Sequence, residues 1–300
     1  MNQKIIPSLW FVDGCEDALN FYTSIFPNSQ ITHIQRYPDK VDFPPWKGLE
    51  GKIITATFEL NGQKFIALDG GPMFKLNPSI SLAVNFKTAE EVETLYNKLI
   101  EGGKPLMPLD KYPWSEKYGW LEDRWGLSWQ ISVGQNTDSI VPAYMFVGEH
   151  FGQAEEAIKF YTSIFKDSSI DLIARYEPGE QDQEGKVKYA GFKLEGQKFS
   201  AMESSHDHKF TPNGAISMMI ECQTQEEIDY YWDKLTAGGN ESAQQCGWLQ
   251  DKYGFSWQIV PKRLGELLSN PDKTKADKAM QAMLKMKKLV IADLEEAANS

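Results

Sequence analysis

The sequence is short of several things at once. Its 300 residues hold three cysteines, Cys15, Cys222 and Cys246, an odd number without metal-type spacing. That excludes a disulfide scaffold and a cysteine zinc site, and predicts reduced, buried or half-buried thiols in a cytoplasmic protein. Positive charge is outnumbered, with 31 Lys and Arg against 42 Asp and Glu and a net charge of −11. Nucleic acid and anionic membrane would call for a basic patch, so neither is expected as a partner. No apolar run is long enough to span a bilayer. The start, MNQKIIPSLWFVDG, has neither the apolar core nor the small-residue cleavage site of a secretory leader, so none is expected. Histidine is scarce too. The one cluster, His206-Asp207-His208, has no third ligand at sensible spacing and is taken as a polar loop. No Ser-His-Asp or Cys-His set can be assembled.

What the chain has is itself, twice. Gly119 to Ile131 reads GWLEDRWGLSWQI and Gly247 to Ile259 reads GWLQDKYGFSWQI, identical at nine of thirteen positions. FYTSIF recurs at Phe21 and Phe160, and GQKF at Gly62 and Gly196. The offsets of 139, 134 and 128 drift without scrambling, so the repeat is co-linear. Each copy of the long motif ends in strict alternation. Ser128 and Gln130 fall on one face and Trp129 and Ile131 on the other; Ser256 and Gln258 oppose Trp257 and Ile259 in the same way. That period of two predicts a strand with one apolar and one polar face. The Asp-x-x-Gly before it (Asp123, Asp251) is a turn signal.

Within each repeat the pattern is strand, helix, strands. Ile5 to Val12 predicts a strand buried on both faces; Asp13 with Glu16 looks like a capping box for a helix through Phe26. Ile31 to Arg36, Ile53 to Leu60, Lys64 to Leu68, Ile80 to Phe86 and Ser128 to Val133 are expected strands, with shorter ones near Leu106 and Trp120. Asn61-Gly62 is a hairpin turn. Thr88 with Glu91, and Thr224 with Glu227, cap helices that stop at Gly102-Gly103 and Gly238-Gly239. The expectation is an α+β protein of four β-α-β-β-β units, forming two curved mixed sheets with helices outside and ligand-sized cavities inside. The domains are expected at 1–136 and 139–268. A C-terminal extension, 269–300, is expected to carry a helix over Lys273 to Asn299 with Met280, Met283, Leu284, Leu289 and Ile291 along its stripe.

The DxxGxxWQI strand, the FYTSIF helix, the CGWL entry at Cys246 and the tail LKMKKLVIADLEEA resemble the PhnB-like branch of the vicinal oxygen chelate superfamily, which holds glyoxalases, bleomycin-resistance proteins and extradiol dioxygenases. The resemblance covers nearly the whole chain and implies glyoxalase-like sheets. Many members of the branch carry the label 3-demethylubiquinone 3-methyltransferase. The chain has no glycine-rich loop of the kind that follows a strand and holds such a cofactor; its glycine pairs sit in turns or caps. Single-unit relatives pair as dimers, so two fused halves imply an internal pseudo-dimer, with further homodimerisation left open.

The resemblance also implies ligand positions on inner strand faces, where metal-dependent members place His or Glu. Carried over, those positions fall at Pro7 and Pro142, Ser79 and Ala215, and Gln130 and Gln258. Only the fourth-strand position keeps a carboxylate, Asp69 and Glu203. One carboxylate per site is too few for a tight transition-metal centre, so no metal and no cofactor are expected. Asp69 and Glu203 are candidate bases, or else solvated strand-end carboxylates. Ser81, Ser128 and Gln130, with Ser217, Ser256 and Gln258, are candidate ligand contacts. Gln130 and Gln258 are alternatively struts between strands. Trp120 and Trp248 are candidate cavity walls, or core, and Tyr144 a polar handle in one cavity alone. Two functions stay open: a small-molecule-binding protein without chemistry, or a glyoxalase- or dioxygenase-type enzyme with a weak or substrate-supplied metal.

Overall fold

The computed structural model describes residues 3–37, 47–135 and 139–300. The expected junction between repeats, at Asn136, lies outside them. The strands form two mixed sheets, of seven and eight strands. The chain divides into two compact bodies, Pro7–Ile216 and Met1–Ile6 with Ser217–Ser300. These boundaries do not coincide with those of the sequence repeats.

In the larger body, β1 (Ile5–Phe11) leads into α1 (Cys15–Ile25), then β2 (Gln30–Arg36), β3 (Ile53–Leu60), β4 (Gln63–Asp69) and β5 (Ile80–Phe86). After α2 (Ala89–Leu99) come β6 (Lys104–Tyr112), β7 (Ser115–Glu122) and β8 (Ser128–Val133). The second repeat opens with β9 (Ile140–Phe146) and α3 (Ala154–Ile164), followed by β10 (Ser169–Arg175), β11 (Val187–Leu194) and β12 (Gln197–Glu203). The eight-stranded sheet runs β10-β11-β12-β9-β5-β8-β7-β6. It therefore joins the back of one repeat to the front of the next, through antiparallel pairing of β5 with β9.

Local chemistry explains the elements. Asn61 and Gly62 have φ of 51° and 75°, and Glu195 and Gly196 have 49° and 73°. Two consecutive left-handed residues make the tight turn whose twist suits a two-residue hairpin. Thr88 and Glu91 close a full capping box on α2. The expected box at Asp13 does not form: α1 starts after Gly14, left-handed at φ 67°, with no side-chain cap.

The smaller body holds β13 (Ile216–Cys222, from Ser217 on), α4 (Gln225–Thr236), β14 (Trp248–Gln250) and β15 (Ser256–Pro261), with β15 between β14 and β13. Its tail differs from the single expected helix. Three helices form, α5 (Arg263–Leu268), α6 (Lys273–Met283) and α7 (Ile291–Asn299). The break between α6 and α7 contains neither Gly nor Pro. Instead its backbone is claimed elsewhere: Met286 and Lys287 carbonyls accept from the Cys246 and Gly247 amides at 2.8 Å each, and Gln225 holds Leu289 and Ile291. Hydrogen bonds to outside partners replace those the helix would have made. Leu264, Leu267, Ala279, Leu289, Leu294 and Ala298 form a small core of their own. Among the described residues, no helix is long and apolar enough to cross a membrane.

Candidate functional site

In the central strands β5, β8, β9 and β12 of the eight-stranded sheet the unbroken register assigns each paired residue to a face. Leu82 pairs with both Trp129 and Pro142, and Ile80 with Tyr144. Trp129 is fully buried, with Tyr22 of α1 and Phe26 just past its end at 5.5 and 5.4 Å between ring centroids. Tyr144 lies 6.4 Å from Tyr161 of α3. This is the helix-covered face. The opposite, inner face carries Ser81, Ala83, Ser128, Gln130, Ala143 and Ser200. Residues one apart on a strand cannot share a face, so the assignment admits no overlap.

On the inner face the expected polar residues come together as hydrogen-bonded sets along β8. Trp120 Nε1 donates to Ser128 Oγ at 2.8 Å, and that hydroxyl bonds Ser81 Oγ at 2.8 Å. Tyr118 OH donates to Gln130 Oε1 at 3.2 Å. Ser132 Oγ donates to Asn85 Oδ1 at 2.6 Å. Burial pushes the Tyr118 hydroxyl far above its ordinary pKa, so it stays a neutral donor. The accepting oxygen of Gln130 is thus occupied, and its Nε2 has no partner among the described residues. The side chain is only 8% exposed.

In the smaller body, Ser217, Ser256 and Gln258 share one face with Trp248, through the register of β13 and β14 on β15. Gln258 Nε2 donates to Ser217 Oγ at 2.9 Å, the reverse polarity to Gln130. The repeat offset explains it: Cys246 stands where Tyr118 stands in the first copy, so no phenol donates to Gln258.

Asp69, Glu203 and Tyr144 are placed differently from expectation. Phe11 pairs with Asp69 and Phe146 with Glu203, which puts both carboxylates on the helix-covered faces. Glu203 spans two backbone amides, Ala154 N–H to Oε1 and Val187 N–H to Oε2, both at 2.7 Å. Ala154 opens α3, so a strand-end carboxylate caps a helix whose own N-cap side chain, Gln153, makes no capping bond. Asp69 is 5% exposed, and its Oδ1 has no hydrogen bond among the described residues. Burial raises its pKa; Asp13 pushes the same way and Lys52 opposes. It also helps hold the buried Cys15 thiol protonated, after the larger effect of burial. Pro142 likewise faces the helices rather than the interior. The inner-face residue beside it is Ala143, because a one-residue slip exchanges faces.

One buried carboxylate was visible in the sequence only as a turn signal. Asp123 accepts from Tyr22 OH at 2.6 Å, Trp129 Nε1 at 2.9 Å and the amides of Trp125 and Leu127 at 2.9 and 3.0 Å. Asp251 repeats this with Trp257 Nε1 at 2.8 Å and the amides of Tyr253 and Phe255. The signal for it was the recurrence of the tryptophan six positions on. Such a saturated carboxylate is a strut.

The donor set does not fit a transition metal. The inner face offers hydroxyls, carboxamides, alanine and methionine, and no group of three His, Cys, Asp or Glu exists among the described residues. In the loop, His208 Nε2 bonds Ser204 Oγ at 2.9 Å, and Asp207 pairs with Lys209.

Two β-α-β-β-β units meeting in one mixed sheet, helices on one side and a polar row on the other, define the vicinal-oxygen-chelate architecture. Glyoxalase I from Zea mays shares the fold, with a TM-score of 0.53 at 13% identity over 85% of this chain and 90% of that one. The family model described as 3-demethylubiquinone-9 3-methyltransferase matches residues 3–132 and again 138–260, and the chain belongs to that PhnB-like family in two tandem copies. A protein from Bacillus cereus, described as a putative 3-demethylubiquinone-9 3-methyltransferase, PhnB protein, is 45% identical; the match covers 44% of this chain and all of that one, with a TM-score of 0.41. Protein YjdN of Escherichia coli K12 is 23% identical over 141 residues, 42% of this chain and 92% of that protein.

Proposed function

We propose that the inner face of the eight-stranded sheet binds a small organic molecule without a resident transition metal. The observation that supports this reading is the Gln130 carboxamide. Tyr118 fixes its oxygen, so its Nε2 is oriented, nearly buried and unspent, with the Trp120 indole paired to it in register. A donor held in one direction and left without a protein partner favours a ligand acceptor placed against it. The ligand class is therefore a neutral or anionic molecule carrying a carbonyl, carboxylate or similar oxygen. Methyl transfer, as in the family's description, is not part of this reading. Gly70-Gly71 follows β4 but leads to β5, and Gly102-Gly103 ends α2, so neither joins a strand to a helix start as a nucleotide-cradling loop does.

Mass spectrometry of the denatured, freshly purified protein tests the reading. A small molecule released from the wild type, and lost or strongly reduced in Gln130→Ala, is the expected result. A protein that releases nothing, and whose Gln130 side-chain amide signals do not move with any member of an oxygen-bearing fragment library, overturns it.

A further inference from the structure

A cavity lies away from that polar row. About 370 Å³ in volume, it opens where the end of β1, the loop after β4, the end of α2 and the β7–β8 turn converge. Two indoles line it, Trp10 and Trp125, and both are held in place. Trp10 Nε1 donates to Gly71 O at 2.8 Å, and Phe74 packs edge-on at 5.2 Å. The ring lies so close to Gly70 that a Cβ there would come within 2.2 Å of it, so glycine is required. Trp125 is clasped by Phe21 and Tyr22, each 5.4 Å away, and by the Arg124 guanidinium at 4.2 Å from its centroid.

The charges in this cavity do not cancel. Lys104 is paired with Glu122 at 2.7 Å, and Asp123 is turned inward and saturated. Lys75 and Arg124 line the cavity with no carboxylate partner among the described residues. In a chain of net charge −11, two cations without a carboxylate partner among the described residues, beside two tryptophans, form a local exception. The second repeat does not reproduce it. By the repeat offsets, Met145 stands for Trp10, Tyr253 for Trp125, and the Asn240–Gln250 amide pair for Lys104–Glu122. Lys252 stands for Arg124 and lies 4.9 Å over Tyr253, so the cation is kept and it is the pair of indole walls that is particular to one repeat.

We infer that this cavity binds a planar aromatic carboxylate, its ring against the indoles and its anionic end on Lys75 and Arg124. Rings of this size bury well against tryptophan faces. Carboxylates gain charge-assisted hydrogen bonds from Lys and from the Arg fork.

The test uses the full chain with 1-naphthoate, and the isosteric neutral alcohol 1-naphthalenemethanol as control. Binding is followed by calorimetry and by the indole N–H signals of Trp10 and Trp125. Naphthoate should bind, move both indole signals and weaken as salt rises from 20 to 500 mM, roughly the range over which screening becomes short-ranged. The alcohol should bind about tenfold more weakly or worse. Lys75→Ala and Arg124→Ala should each weaken naphthoate about tenfold. Both residues are exposed, so the variants should melt with the wild type, and Arg124→Lys should recover part of the loss. Equal affinity for acid and alcohol, or unchanged affinity in Lys75→Ala, overturns the inference. So does naphthoate binding that moves the Gln130 amide and neither indole, an outcome that would leave the inner-face reading standing.

Discussion

Glu203 and Asp69 occupy the same register position in the two repeats, opposite Phe146 and Phe11, yet only Glu203 reaches its partners. Its carboxylate joins the start of α3 to the start of β11. Asp69, one methylene shorter, leaves Oδ1 buried and without a hydrogen bond among the described residues.

Asp69→Glu is therefore expected to stabilise the protein, by about 1–2 kcal/mol if the longer side chain gains the bonds that Glu203 makes. Glu203→Gln should do the reverse, costing about 1.5–3 kcal/mol, since one accepting oxygen becomes a donor facing a backbone N–H. Urea denaturation of both variants checks this. A destabilised Asp69→Glu would show that the first repeat has no room for the extra methylene.

The charge on Asp69 carries a pH signature. Its folded-state pKa is raised, chiefly by burial, so the native state binds the proton more tightly than the unfolded chain. Stability then falls as pH rises from the ordinary aspartate range through the raised folded value, and the penalty is complete above it. Asp69→Asn should thus melt higher than wild type at neutral pH. The gap should close as pH drops below the ordinary aspartate range. A gap that persists unchanged in acid would mean that the effect is not electrostatic.

The two faces of one strand should separate in a mutational comparison. Trp257→Ala, which empties a fully buried site and orphans Asp251, should cost about 3–5 kcal/mol. Gln258→Ala loses the bond to Ser217 and should cost about 1 kcal/mol. Equal losses in thermal melts would make the carboxamide a strut.

Tyr118 sets the direction of Gln130. Tyr118→Phe should cost about 1 kcal/mol and free the carboxamide to rotate. The side-chain amide protons of Gln130, followed by NMR, should broaden or shift while those of Gln258 stay put. Unmoved Gln130 signals would mean that something other than the phenol orients it.

Most of the fold was legible because its signals are local. Alternation placed Ser128, Gln130 and Trp129, the Asn-Gly turn placed the β3–β4 hairpin, and Thr88 with Glu91 placed the start of α2. The faces of Asp69, Glu203 and Tyr144 were misjudged, though the signal was present. Asp69 shares parity with the buried Phe65 and Ala67, Glu203 with Phe199 and Ala201, and Tyr144 with Ile140 and Phe146. Asp69 and Glu203 stand at positions that are ligands in metal-binding relatives, and Tyr144 is set apart by standing where the other repeat has Leu9; neither fact bears on the face of the strand. The cap on α3 was not legible, because its carboxylate lies 49 residues downstream of the amide it serves. The break in the tail was hidden for the same reason: it is decided by the backbone of Cys246 and Gly247, not by a helix-breaking residue.

The pairing of β5 with β9 has a consequence for how such a chain can be taken apart. The two strands that meet at the centre of the eight-stranded sheet belong to different repeats, and the covalent path between those repeats is the short link from β8 to β9. Severing that link would break no pair in the sheet, whereas removing either repeat would strip one side of a central strand. Two separately produced halves should accordingly find each other and restore the sheet. Either half alone would present a bare row of amides and carbonyls that only a matching copy could satisfy.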